Sequence, residues 1–393
     1  MAPKQILHLR SETKKYEHRS CLTPSTAKAL IDSGKFDVRV ERSSTDPQIA
    51  RIFKDEEFEK IGVTLVPDQS WVDAPEDAII VGLKEINEEP PFPLKHTHVT
   101  FHHCYKQQGG WDTVLGRYAR GGGILLDLEF LQDDKKRRVA AFGVSAGFCG
   151  AALAMKAFFY QLQHEGKALP DVHDFTEGRG YYEDEGQLLE QLRTELKNGV
   201  EKLGRQPKVL VMGALGRCGR GAVDLFAKAG LPDSQIIKWD IDETRERPGP
   251  YPEIVDADIF VNCIYLSAKI PPFIDAKSLS GPRNLSVVCD VSCDTTNPNN
   301  PIPIYNINTV FTKPTVPVEL PEGAGGPPLS VISIDHLPSL LPRESSEAFS
   351  RDLLPYLLQL DDWQGEGSPV WRGAYELFKE KVKTLPTGYA DQK

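Results

Sequence analysis

Residues 208–240, KVLVMGALGRCGRGAVDLFAKAGLPDSQIIKWD, constrain the fold of this chain more than any other stretch. Val209–Met212 is an apolar run without a polar face, as a central parallel strand buried on both sides requires. Gly213, Gly216 and Gly219 then permit a tight turn, close approach of a diphosphate to backbone N–H groups, and close packing of the next helix on the sheet. Ala222, Phe226 and Ala229 share one helical face, Gly230 can supply a left-handed cap, and Pro232 prevents continuation. Gln235–Trp239 reads as a second strand, with Asp240 at its end, 21 residues beyond Gly219. A carboxylate there accepts hydrogen bonds from a ribose diol and repels a 2′-phosphate, which favours NAD over NADP. The spacing is G-x-x-G-x-x-G, with Ala214 where the commoner G-x-G-x-x-G fingerprint has its first glycine, so a purely structural βα turn is the competing reading.

The first third of the chain alternates strands and helices as well. Gln5–Arg10, Phe36–Val40, Val63–Val66, Ala78–Gly82, Thr97–His102 and Ile124–Phe130 read as strands, and Thr23-Pro24 is an N-cap and N1 pair opening a helix to about Asp32. SETKKYEHRS, at 11–20, reads as a charged turn. From Val144 to about His164 small and apolar residues recur at helical spacing over a length that can bridge two domains. Two helical segments, 345–360 and 369–383, follow His336; they are too few for a domain and are expected to pack on the first one. The predicted organisation is α/β, with one domain from 1–143 plus 336–393 and a nucleotide-binding domain from 144–335.

At 393 residues the chain can bury two sizeable cores, and 46 basic against 56 acidic residues argue against nucleic acid or anionic membrane as partners. The N-terminal residues lack an apolar signal core and no apolar run is expected to reach the ~20 residues of a membrane span. Seven cysteines without a C-x-x-C pair suit a reducing, cytoplasmic compartment and give no structural zinc pattern.

Three stretches can carry chemistry. The run His96-Thr97-His98-Val99-Thr100-Phe101-His102-His103-Cys104 admits a zinc site, ordinary core histidines, or a catalytic His103 at a strand end followed by Tyr105 and Lys106. Lys84 follows the apolar run AIIVGL; burial would lower its pKa and make it a proton acceptor, whereas snorkelling would leave it an ordinary ammonium. Asp335 either meets a nicotinamide or caps the turn at Leu337-Pro338. Arg19, Arg137 and Arg138 are candidate carboxylate clamps, or surface charges. If the strand bearing Cys263 is the fourth in 3-2-1-4-5-6 order, it neighbours the first, and Cys218 and Cys263 form a candidate disulfide beside the cofactor; reduced thiols are the alternative.

At GLKE (82–85), FHHCYKQQGGW (101–111), DLEFL (127–131), RRVAAFG (137–143), GALGRCG (213–219), KWDIDET (238–244), NCIYLS (262–267), DVSCDTTNPNNPIPIY (290–305) and SVISIDHLPSLLPRE (330–344) the chain closely resembles the NAD-dependent, L-lysine-forming saccharopine dehydrogenases of the fungal α-aminoadipate pathway, from Leu7 to about Leu360. Alanine dehydrogenase and transhydrogenase are similar in fold at greater distance. The resemblance implies two Rossmann-like doubly wound domains with the active site in the cleft between them, and reversible oxidative cleavage of saccharopine to L-lysine and 2-oxoglutarate as the last step of lysine biosynthesis.

It further implies Lys84 and His103 as the acid-base pair, with Glu129 close to the lysine. Arg19, Lys106, Gln108, Arg138, Phe142, Ser292 and Asp294 fall on substrate positions, and three substrate carboxylates account for the cations. Gly216, Arg217, Asp240, Thr244, Tyr265, Val291, Ile334, Asp335, His336 and Leu337, with Arg137, fall on NAD positions. No metal is implied, and family members of this form are typically monomers. The competing functions are an alanine-dehydrogenase-like enzyme for a small 2-amino acid, which would need fewer carboxylate clamps, and an NAD-binding regulator without turnover.

Overall fold

The computed structural model describes residues 3–86, 90–293, 295 and 297–387. Two compact units form, one from residues 1–141 with 342–393 and the other from 142–341.

The first unit is a six-stranded sheet of β1 (Gln5–Leu9), β2 (Phe36–Glu41), β3 (Thr64–Val66), β4 (Ile79–Val81), β5 (Thr97–Thr100) and β6 (Ile124–Asp127). Its order is β3-β2-β1-β4-β5-β6 and every pairing is parallel. The order reverses between β1 and β4, so their C-terminal ends border the crevice where such sheets bind ligands. Helix α1 (Pro24–Asp32) starts at the Thr23 cap, completed by a reciprocal bond with Thr26. Helices α2 (Trp111–Gly121), α6 (Pro342–Leu357) and α7 (Pro369–Val382) also belong here. Ser346 Oγ accepts from the Ser20 N–H at 2.9 Å, and Phe378 packs edge-on to Tyr118 at 6.0 Å.

The second unit contains β7 (Val209–Met212), β8 (Ile236–Trp239), β9 (Ile259–Asn262), β10 (Val287–Asp290), β11 (Val316–Pro317) and β12 (Ser330–Ile332), in the order β11-β12-β10-β9-β7-β8. Only edge strand β11 is antiparallel. Cys263 thus follows the third strand of this unit, not the fourth, although β9 does pair with β7.

Helix α3 (Gly143–Gln163), α4 (Glu185–Leu203) and α5 (Arg217–Ala229) cover the sheet. Contrary to expectation, α3 is long and apolar enough to cross a membrane, but most of it is buried inside this unit. All of it belongs to the second unit. A Cβ at Gly147 would lie 1.7 Å from the Cys218 carbonyl oxygen, and one at Gly221 1.9 Å from that of Val144. Glycine lets α3 and α5 cross at backbone contact. The return to the first unit falls at 341/342 rather than 335/336, because Leu337, Leu340 and Leu341 are buried in the core that holds α3.

Candidate active site

In the first unit, the loops after β1, β4, β5 and β6 deliver the candidate groups. The charged turn at 11–20 exposes Lys14 and Lys15 but buries Glu17, His18, Arg19 and Ser20. Its charges compensate one another. Arg19 Nε donates to Glu17 Oε1 at 2.8 Å and Nη2 to Oε2 at 2.7 Å. Burial works against the Glu17 carboxylate, but Arg19 prevails and holds its pKa down to about 2.

Lys84 sits on the other side of Glu17, Nζ 3.9 Å from Oε2, with its side chain only 16 % exposed. It does not snorkel. Loss of hydration and the neighbouring Arg19 cation lower its pKa, with Glu17 opposing. The carboxylate paired with Lys84 is therefore Glu17, a residue missed in the sequence, rather than Glu129. The Arg19 fork is likewise already engaged by a protein carboxylate.

His103, after β5, has a left-handed φ of 49° and a side chain 43 % exposed. Its Nδ1 meets Glu85 Oε1, and its ring stacks on Phe101 at 6.2 Å. Burial opposes the Glu85 charge, but the bond to His103 dominates and keeps its pKa low. An ionised carboxylate only accepts, so Nδ1 carries the proton and Nε2 is left as the basic atom of the neutral ring. Glu85 was also unforeseen. Lys14 Nζ lies 3.9 Å from its second oxygen.

The remaining histidines of the run are core residues. His98 and His102 are fully enclosed, His98 packs edge-on to Trp71 and Tyr118 at 5.4 and 5.5 Å, and His102 Nδ1 is 3.2 Å from the Tyr118 hydroxyl. Burial pushes the His102 pKa down to about 3. His96 faces the Ala74 carbonyl at 3.0 Å. Among the described residues no cluster of three metal-capable side chains occurs.

After β6, Glu129 Oε1 accepts from Lys106 Nζ at 2.7 Å and lies 3.8 Å from Arg138 Nη2. The buried Asp127 accepts the backbone N–H groups of Glu129 and His102, at 2.8 and 3.3 Å, and burial raises its pKa to about 6. Gln108 Oε1 accepts the Lys106 N–H at 3.0 Å. Arg137 pairs with Asp133 at 2.8 Å at the surface of this unit, whereas Phe142 and Ser292 belong to the other.

In the second unit, Gly213 takes a left-handed φ of 83°, and a Cβ at Gly219 would lie 2.0 Å from the Gly213 carbonyl oxygen. Gly216 opens α5 without a side-chain cap. A glycine cap leaves the helix N-terminus open to close approach of a phosphate. Asp240 accepts from the Leu215 and Ile241 N–H groups at 3.0 and 2.9 Å and forms a capping box with Glu243, which fixes its carboxylate at the end of β8 where a ribose diol would meet it. Thr244 Oγ1 donates to the Asp240 carbonyl at 3.1 Å, and Tyr265 is 63 % exposed. These residues fit a dinucleotide.

Ile334 and Leu337 put their side chains in the core, so only their backbone can meet a ligand. The Val291 N–H is taken by the Asn262 carbonyl at 2.9 Å. Asp335 is not a cap: its carboxylate contacts His336 Nδ1 at 2.6 Å, and His336 itself holds the cap position. Ser292 Oγ donates to Asp290 at 2.7 Å. Asp294 lies outside the described residues. Cys218 and Cys263 are free thiols, not a disulfide. Burial raises the pKa of both, which disfavours the thiolate that oxidation needs.

Residues 8–149 match the family model described as alanine dehydrogenase/PNT, N-terminal domain. A Neurospora crassa protein named saccharopine dehydrogenase [NAD(+), L-lysine-forming] is 60 % identical over 387 residues, 98 % of each chain. The chain belongs to the L-lysine-forming saccharopine dehydrogenase family. Proteins of the same name from Emericella nidulans and Schizosaccharomyces pombe are 59 % and 53 % identical, over 96 % of this chain and 97 % and 99 % of theirs. Among solved structures, an L-alanine dehydrogenase aligns with TM-score 0.64 at 16 % identity, over 96 % of this chain and all of its own. The transhydrogenase from Sinorhizobium meliloti gives 0.60 at 14 %, over 93 % and 97 %. Those two share the fold.

Proposed function

We propose that this protein catalyses the reversible NAD-dependent cleavage of saccharopine to L-lysine and 2-oxoglutarate, in the cytoplasm. The observation that carries the reading is Lys84, a largely desolvated, half-buried amine of lowered pKa at a strand end of a parallel sheet, with His103 on the neighbouring loop. NAD supplies the hydride acceptor for the glutamyl α-carbon. Gly216, Arg217, Asp240, Thr244 and Tyr265 hold it, together with Val291 and the backbone of 334–337.

Two protons must leave before the C–N bond breaks, one from the secondary amine and one from the water that adds to the imine. Lys84 Nζ, poorly hydrated and easily neutral, takes the first. His103 Nε2, on the more exposed ring, takes the proton of water while Glu85 fixes Nδ1. A proton returned to the departing lysine nitrogen, with the carbinolamine hydroxyl proton passing to the pair, breaks the C–N bond and forms the C=O of 2-oxoglutarate. Lys106 and Arg138, gathered on Glu129, are cations for the substrate carboxylates.

An assay of NADH consumption with lysine plus 2-oxoglutarate, run beside ammonia plus pyruvate, tests the reading. Turnover with the first pair and saccharopine as product is expected. Turnover with the second pair alone would make it an alanine dehydrogenase, and none with either an NAD-binding regulator.

A further inference from the structure

Sheet pairing in the first unit stops one residue short of where the chemistry begins. The Gly82 N–H still donates across the ladder to the Val99 carbonyl at 3.0 Å. The next two backbone donors have no strand to meet. They are taken by one buried side chain: the Leu83 N–H donates to Glu12 Oε1 at 2.6 Å and the Lys84 N–H to Glu12 Oε2 at 2.9 Å. The Lys84 carbonyl in turn accepts from Thr100 Oγ1 at 3.0 Å and from Arg10 Nη2. Arg10 closes the circuit, with Nη1 3.3 Å from Glu12 Oε2. Arg10 and Glu12 are 3 % and 7 % exposed, so water offers these groups no substitute.

Gly82 belongs to the same device. A Cβ there would lie 2.4 Å from Arg10 Nε and 2.9 Å from Nη2, so the guanidinium lies against a bare backbone. Donor and acceptor of the Lys84 residue are thereby fixed by a pair from the β1 loop. The same loop carries Glu17 and Arg19, the charges beside Nζ.

The geometry points to Arg10 and Glu12 as positioning residues that lock the Lys84 backbone so that its amine stays desolvated beside Glu17. This rests on the acid-base role given to Lys84. Both residues meet the backbone of Lys84 rather than its amine. Glu12→Gln keeps the shape but replaces one of two acceptor oxygens by an NH₂, which faces a backbone N–H and cannot accept it. The Lys84 segment then loosens and its amine reaches water.

Two readouts separate positioning from general stability and from the charge of Glu12. Reductive ¹³C-methylation followed by NMR titration reports Lys84 directly, its resonance assigned by its absence in Lys84→Arg. Positioning predicts that Glu12→Gln moves the Lys84 titration upward, toward the ordinary lysine value, because hydration stabilises the ammonium. Loss of a nearby negative charge alone would move it down. Turnover with lysine, 2-oxoglutarate and NADH is expected to fall about 10-fold or more, while NADH affinity stays within about twofold. A Lys84 titration that is unmoved or lowered overturns the proposal, whatever happens to turnover. Should Glu12→Gln fail to fold, Gly82→Ala displaces the Arg10 guanidinium and is read the same way. If the wild-type enzyme lacks saccharopine chemistry but its Lys84 titration still rises in the variant, the clamp stands and the assigned reaction falls.

Discussion

Glu17 meets two cations, Arg19 and Lys84, with its carboxylate inside the protein, and that arrangement has a price in acid. Its folded pKa of about 2 lies below the ordinary 4.5, so the unfolded chain binds the extra proton first. Its contribution to stability is complete above pH ~4.5 and is lost as pH falls toward about 2. Denaturant unfolding between those limits is expected to show a pH slope that Glu17→Gln flattens. At neutral pH the same variant leaves Arg19 buried without its carboxylate, and a loss of about 3–5 kcal/mol is expected from the midpoint shift. Unchanged stability would remove Glu17 from the account.

Lys84 and His103 stand out as candidates in the sequence because each ends or follows an apolar strand, and the resemblance is what pairs them. Glu12 and Glu17 do not, since SETKKYEHRS has no periodicity and its hydrophilicity imitates a solvated turn, and Glu85 reads only as the residue after Lys84 in GLKE. The available signal was the i, i+2 alternation of charge in Arg10/Glu12 and Glu17/Arg19, which lets a polar loop be buried as neutral pairs.

Among the elements, the strands and the capped helix α1 followed from local chemistry, because period, cap and proline act within a few residues. The glycines of α3 did not. Gly147 and Gly221 look like weak helix positions until the α3–α5 crossing is known, where a methyl would enter backbone at 1.7 and 1.9 Å. Gly221→Ala should destabilise the second unit by about 1–3 kcal/mol, as overpacking does, measured by chemical denaturation. Gly219→Ala should also weaken NADH binding, because its Cβ meets the Gly213 carbonyl at 2.0 Å and pushes α5 off the turn that holds the phosphates. Binding equal to wild type would show that the turn yields without cost.

For the whole molecule, both α/β sheets were readable from the sequence. The precise crossing at 341/342 was not, because Leu337–Leu341 is apolar and its side in the core is decided by packing against α3. The second unit is one uninterrupted segment with its own sheet and core, so residues 142–341 alone should fold cooperatively and bind NADH without turning over lysine and 2-oxoglutarate. A fragment that folds but does not bind would place essential cofactor contacts in the other unit.

In the proposed reading the chemistry rests on the first unit, and above all on Lys84 and His103. The most direct test is turnover of Lys84→Met and His103→Gln with lysine, 2-oxoglutarate and NADH, beside NADH binding in the same preparations. Each variant is expected to lose about 10²-fold or more in turnover with NADH affinity nearly unchanged. Near-wild-type turnover in both would contradict the assignment of proton transfer to this pair.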